Sequence, residues 1–165
     1  MDDFFDAATR VFRLDEGERN YPYKDINGYW TIGRGHLIGK LLADLRISDN
    51  IINELFREDL AVAIKEARFV VGDAFFNKIS DARKMALVSM LYTLGRNKFL
   101  KFEETIEAML KEDWDTVAVR ILQTKWAVDV DPKRRENLGR DDRIAYMFKT
   151  GEFHPDYGVD KCVKS

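Results

Sequence analysis

Asp15-Glu16-Gly17, followed by Tyr21-Pro22-Tyr23-Lys24-Asp25-Ile26-Asn27-Gly28-Tyr29-Trp30-Thr31-Ile32-Gly33-Arg34-Gly35-His36, reads as a helix end, a turn and a β-hairpin. Upstream of it, Phe4, Phe5, Ala8, Val11, Phe12 and Leu14 recur at helical spacing, so a first helix runs over about 2–14 and stops at Gly17. Within it, Asn27-Gly28 lies between aromatic and β-branched residues, the strongest short-range signal for a hairpin. The stretch therefore sets Glu16 at a helix terminus, and Asp25 and Thr31 on opposite arms of a hairpin able to face one cleft. Two carboxylates with a hydroxyl suit hydrolysis of a glycosidic bond. One carboxyl group must stay protonated to serve the leaving oxygen, and the other must stay ionised to serve water or the developing positive charge. Carboxylates alone are weak evidence in a chain with 29 acidic residues, most of which must be solvated.

Working outward, Ser48 and Asp49 are placed to cap a long helix over about 49–67 that carries Ile51, Ile52, Leu55, Phe56, Leu60, Ala63 and Ile64. A second apolar helix carries Ile79, Ala82, Ala86, Leu87, Met90, Leu91 and Leu94, with Gly95 as its stop. Shorter helices follow near 102–111 and 114–126, and a last one near 135–150 stops at Gly151. The Met and aromatic positions of these helices read as core, and Pro22, Pro132 and Pro155 lie outside them, at turns. The predicted class is α+β: a small N-terminal lobe over about 15–50 with a β-hairpin or sheet, joined by the long helix to a larger all-α lobe over about 68–153 that includes the N-terminal helix.

Composition fits a compact globular chain: 165 residues, 45% of them hydrophobic, suffice for a sizeable core. The single cysteine, Cys162, precludes an intramolecular disulfide and reads as an incidental thiol. The acidic start Met1-Asp2-Asp3 is unlike a signal peptide, and no apolar run reaches the roughly 20 residues of a membrane span. The formal net charge of -2 leaves any steering toward an anionic target to a local patch. Lys133, Arg134, Arg135, Arg140 and Arg143 form the clearest basic cluster, but Asp129, Asp131, Glu136, Asp141 and Asp142 offset it, so it reads as a solvated helix face and not as a nucleic-acid site. His36 has only His154 for company and no nearby cysteine, which argues against a metal. The Gly33-Arg34-Gly35 alternation is too short to claim a phosphate cradle.

Leu14-Asp15-Glu16-Gly17, the tyrosine-rich Tyr21 to Asp25 segment and Gly28-Tyr29-Trp30-Thr31-Ile32-Gly33-Arg34-Gly35-His36 together resemble the catalytic segment of phage-type lysozymes, the T-even endolysin type of glycoside hydrolase family 24. Ile47-Ser48-Asp49 to Asp59-Leu60 resembles that family's interlobe helix, Trp126 a tryptophan near the end of its chain, and Arg140 to Gly151 its closing helix; the resemblance covers about residues 4–153. It implies a lysozyme-like fold and cleavage of the β-1,4 bond between N-acetylmuramic acid and N-acetylglucosamine, with inversion and without cofactor or metal. It further implies Glu16 as general acid, Asp25 as the carboxylate across the cleft and Thr31 as the hydroxyl that positions water. Arg140 would be the cation near Glu16, Arg143 the partner of Asp15 and Asp59 the partner of His36, with Tyr29, Gly35, Ser89 and Thr93 supporting the groove. The chain is shorter than the T-even type between His36 and Ile47, and Ser89 and Thr93 stand where that type has amides.

The expected partner is the glycan strand of peptidoglycan, met by a monomer made in a host cytoplasm and released to the wall through a holin-type pore, with no nucleic acid and no stable membrane insertion. Two other readings stay open: a non-catalytic wall-binding module that keeps the sugar groove, and an effector or tail-associated muramidase that shares the chemistry but not the biology.

Overall fold

The computed structural model of the protein describes residues 2–25, 28–38, 46–130 and 139–159. By compactness the chain divides into two units, Met1–Val62 and Ala63–Ser165.

The first unit opens with α1 (Asp2–Asp15), whose Ala7, Ala8, Val11 and Phe12 are buried, while Leu14 at its end stays 49% exposed and outside the core. Next comes a three-stranded antiparallel sheet in the order β1 (Arg19–Lys24), β2 (Trp30–Gly33), β3 (His36–Leu37). Register pairs Lys24 with Trp30 and Tyr23 with Thr31, then Thr31 with Leu37 and Ile32 with His36; an irregularity in β1 falls between Arg19 and Tyr23. Side chains of directly paired residues share a face of the sheet, so Tyr23, Thr31 and Leu37 lie together on one face. The hairpin predicted between β1 and β2 is present and closes through Asp25 and Tyr29, whereas Ile26 and Asn27 lie outside the described residues. Pro22 sits within β1, at the edge of the sheet, where a missing N–H is tolerated.

α2 (Asp49–Val71) is four residues longer than its apolar pattern indicated, and the boundary between the units falls within it. On its N-terminal half Phe56 is 1% exposed and meets the rings of Phe5 and Phe12 at centroid distances of 5.6 and 5.2 Å, which forms the aromatic core of the first unit.

In the second unit α2 continues into α3 (Asp73–Lys78), α4 (Asp81–Leu94), α5 (Arg96–Phe99), α6 (Glu103–Leu110), α7 (Trp114–Leu122), α8 (Lys125–Val130) and α9 (Arg140–Thr150), and a 3-10 turn follows at Pro155–Tyr157. α9 packs on α7 and α4, and Met85, Met90, Met109 and Met147 are fully buried, as the apolar patterning indicated.

Three further boundaries differ from the sequence reading, each for a capping reason. α4 begins after Ile79, because the Ser80 hydroxyl accepts the Arg83 N–H (3.3 Å) and sets the N-cap there. The helix expected over 114–126 is two helices. Thr124 Oγ1 donates to the Ile121 carbonyl (2.7 Å) and accepts from the Ala127 N–H (3.2 Å), which stops α7 and starts α8. The last helix starts at Arg140, with the Asp142 carboxylate reaching back to the Gly139 N–H at 3.4 Å. Positions 135–138, Pro132, Lys133, Arg134, Arg135 and Cys162 lie outside the described residues.

Candidate functional site

The first unit holds Glu16, Asp25, Tyr29, Thr31, Gly35, His36 and Asp59; the second holds Ser89, Thr93 and Arg140. Glu16 is the first residue past α1, and its N–H remains tied to the Phe12 carbonyl at 2.9 Å. Gly17 then reverses the chain at φ +72°, a left-handed conformation that only glycine adopts cheaply. The carboxylate therefore projects from a helix terminus that a single turn joins to β1.

Asp25 and Thr31 converge on the backbone of Tyr29. The Asp25 N–H donates to the Tyr29 carbonyl (2.9 Å), the Tyr29 N–H donates to Asp25 Oδ1 (2.8 Å), and Thr31 Oγ1 donates to the same Tyr29 carbonyl (3.2 Å). The Tyr29 ring stays 61% exposed, so it is the residue's peptide, not its side chain, that organises these two groups. Thr31 is 3% exposed, and its single hydroxyl proton is given to that carbonyl, so toward another group it acts as an acceptor. The Asp25 carboxylate has lone-pair directions beyond the Tyr29 N–H and can serve chemistry while closing the hairpin.

Tyr23 joins these residues, and the sequence reading passed over it. It is the register partner of Thr31 on the same face of the sheet, and the Arg19 guanidinium lies 4.5 Å from its ring centroid. Burial pushes its phenol pKa above the ordinary value, the Glu16 and then the Asp25 carboxylates push it further, and Arg19 and a hydrogen bond with the Gly35 backbone pull against them. Tyr23 thus feels both carboxylates. The signal available in the sequence was its position opposite Thr31 once the hairpin is closed.

His36 Nδ1 and Asp59 Oδ2 are 2.9 Å apart, with side chains 27% and 33% exposed, and the contact joins β3 to α2. Gly35 stands in the β2–β3 turn at φ +85°.

In the second unit Arg140 is 7% exposed and its Nη2 donates to Ser89 Oγ (3.1 Å) and Thr93 Oγ1 (2.7 Å). Thr93 Oγ1 passes its own proton to the Ser89 carbonyl at 2.9 Å. The two hydroxyls read as sugar-groove residues are thereby a cradle for one guanidinium. Arg143 is likewise buried, at 8% exposure, with its guanidinium 5.4 Å from the Tyr157 ring centroid. Arg140 and Arg143 therefore do not belong to a solvated helix face: α9 turns them inward among α4 and the C-terminal 3-10 turn. Among the described residues no cluster of three His, Cys, Asp or Glu side chains could hold a metal, and no helix is long and apolar enough to cross a membrane.

The family model for phage lysozyme matches residues 14–138, which takes in Glu16, Asp25, Thr31, His36 and Asp59. The chain belongs to the phage lysozyme family. The chain is similar to the proteins named Probable T4-type lysozyme 1 and Probable T4-type lysozyme 2 of Dictyostelium discoideum. Each is 27% identical to it, and the alignment covers 86% of this chain and 92% of the relative. It is also similar to the Pre-baseplate central spike protein Gp5 of Enterobacteria phage T4, at 27% identity over 93% of this chain but 29% of that longer protein. Within the phage lysozyme family the α+β, lysozyme-like architecture is the expected one, and a lysozyme-type glycoside hydrolase activity is the coarse function that membership supports.

Proposed function

We propose that this phage lysozyme family member is a muramidase that hydrolyses the β-1,4 bond between N-acetylmuramic acid and N-acetylglucosamine in peptidoglycan, with inversion at the anomeric carbon. Glu16 gives its proton to the leaving oxygen, while Asp25, ionised, takes a proton from the attacking water on the opposite face of the sugar. Thr31 accepts the water's other hydrogen, because its own is committed to the Tyr29 carbonyl. With both hydrogens directed into the protein, a lone pair of the water is left for the anomeric carbon. No cofactor enters this acid–base chemistry.

The observation that carries the proposal is the attachment of Asp25 and Thr31 to the single Tyr29 peptide, on a hairpin whose Tyr23 senses the Glu16 carboxylate. In the cell the same reading has the enzyme acting as a monomer on the wall after release through a holin-type pore, leading to lysis. A tail-associated or effector setting would use the same chemistry, and the neighbouring genes distinguish the two. The test is incubation of the purified protein with isolated peptidoglycan between about pH 4 and 8. Soluble muropeptides with new reducing ends, the α-anomer appearing first, are expected. Wall binding with no reducing ends at any pH makes the protein a binding module instead.

A further inference from the structure

Arg34, between Gly33 and Gly35 in the β2–β3 turn, is among the most deeply buried charged residues of the first unit, its side chain only 2% exposed. Its guanidinium joins the α1–β1 connection to α2 through three contacts. Nη2 pairs with the Glu18 carboxylate, Nη1 donates to Asn53 Oδ1 on α2 at 3.2 Å, and the group lies 5.2 Å from the Phe56 ring centroid. Glu18 is gripped from the other side by Arg13 of α1, whose Nη2 lies 3.2 and 3.3 Å from its two oxygens. Desolvating a guanidinium is costly, and an aliphatic side chain of similar volume fills a core at least as well where packing is the sole requirement. What the ion pair adds is direction: it fixes Glu18 against the sheet.

That matters because of what precedes Glu18. Glu16-Gly17-Glu18 is the whole connection between α1 and β1. Its upstream end is fastened by the Glu16 N–H to Phe12 bond, and at Gly17 an added Cβ would meet nothing within 4 Å, so no packing steadies the middle. The downstream fastening is the Glu18 carboxylate.

We propose that Arg34 and Glu18 are positioning residues for Glu16: their ion pair, closed off from solvent on the Arg34 side, clamps the turn that carries the acid, so the charge balance at the clamp acts on that turn. The inference rests on the reading of Glu16 as general acid. Glu16 and Glu18 are two residues apart, at most about 7 Å along the backbone, so an unbalanced charge at the clamp acts on Glu16 at short range. The surrounding elements also carry Asp6, Arg10, Arg13 and Asp15 on α1, Arg19, Tyr23, Lys24 and Asp25 on and after β1, Glu54, Arg57 and Glu58 on α2, and the His36–Asp59 pair between β3 and α2. All are kept in the variants below.

The 165-residue protein and its E18Q, R34M and E18Q/R34M variants are compared for peptidoglycan turnover from about pH 4 to 9, with the folded fraction followed by circular dichroism. E18Q strands a buried cation, which favours ionised Glu16, and so moves the alkaline limb of the profile down by about half a unit or more. R34M leaves Glu18 with Arg13 alone and moves that limb up. The double variant carries neither charge, so its limb returns to the wild-type position while kcat stays about tenfold low at an unchanged KM, because the turn is loose. A clamp with only a structural role predicts lower melting temperatures with kcat per folded molecule and the pH profile unchanged. That result, or shifts of the same sign in both single variants, overturns the proposal. Should R34M fail to fold, E18Q decides alone, since Glu18 keeps a quarter of its side chain in solvent. A wild type that releases no reducing ends overturns the hydrolase reading and this inference with it. A wild type that cleaves, beside an E18Q indistinguishable from it, overturns this inference only.

Discussion

Asp25 has two jobs in this reading, hairpin closure and chemistry, and the pair Asp25→Asn and Asp25→Ala separates them. Its Oδ1 accepts the Tyr29 N–H at 2.8 Å. A hydrogen bond to a charged acceptor is worth about 1.5–3 kcal/mol, and at this half-buried position about 1 kcal/mol is the reasonable figure. Asparagine keeps a carbonyl oxygen at the same place, so it forfeits roughly half of that, while alanine forfeits all of it and leaves the Tyr29 N–H to solvent. In a chain of 165 residues, 1 kcal/mol shifts the melting temperature by about 2–4 °C, so Asp25→Ala should melt about 2–4 °C lower and Asp25→Asn less than about 2 °C lower. Turnover follows charge, not hairpin stability: both variants lose the proton acceptor, and both should fall by about 10²–10⁴-fold in release of reducing ends. The assays are thermal melting by circular dichroism and reducing-end release from isolated peptidoglycan at a temperature where each protein is fully folded. Near-wild-type turnover in Asp25→Asn would make the residue a hairpin anchor and nothing more.

Glu16→Gln keeps the side chain's shape but has no transferable proton, so reducing-end release should drop by about 10²–10⁴-fold with the melting curve unchanged; a normal rate removes Glu16 from the mechanism. His36→Asn breaks a contact whose partners are each about a third exposed, and should cost about 1–2 kcal/mol, or roughly 2–8 °C, while activity per folded molecule holds. Lost activity at an unchanged melting temperature would instead bring His36 into the chemistry. Tyr23 binds its phenolic proton more tightly folded than unfolded, because burial and the Glu16 and Asp25 carboxylates oppose its ionisation. Its contribution to stability is therefore full below about pH 10 and is lost as pH rises through the folded pKa. Absorbance titration should show a late-ionising tyrosine missing from Tyr23→Phe, and Tyr23→Phe should lose less stability than wild type above about pH 10; identical alkaline titrations refute the placement of Tyr23 beside the carboxylates.

The helices of this chain were legible wherever apolar spacing and a capping residue agreed. Phe12 and Phe56 announce themselves by periodicity and prove to be ring partners in one core. Where a hydroxyl competed with the pattern the boundary moved, as Ser80 and Thr124 show, because one side-chain bond to a helix N–H outweighs the continuation of an apolar stripe. The hairpin was legible because turn residues and alternating aromatics are local signals. The roles of Tyr23 and Tyr29 were not, since they arise from cross-strand register and from backbone groups that side-chain identity does not encode. α3 and α5, of six and four residues, are too short to leave a periodic trace.

The arginines carry the same lesson into electrostatics. From the sequence, Arg140 and Arg143 belong to a surface cluster partly cancelled by acids, and Arg34 enters only as the middle of a Gly-Arg-Gly alternation too short for a phosphate cradle. In the fold all three are at most 8% exposed. A buried guanidinium cannot steer a substrate from solution, because its field is spent on the groups that hold it and the desolvation cost must be met locally. It can, however, fix neighbouring groups with a geometry that a flexible ammonium does not match, through several N–H donors in one plane. Arg34 does this between Glu18 and Asn53, and Arg140 between Ser89 and Thr93. With a net charge of only -2 and these cations turned inward, the protein invests positive charge in local order. Association with the wall should then depend only weakly on ionic strength, while a Lys replacement at Arg34, which keeps charge but loses the planar fork, should lower kcat more than it raises KM.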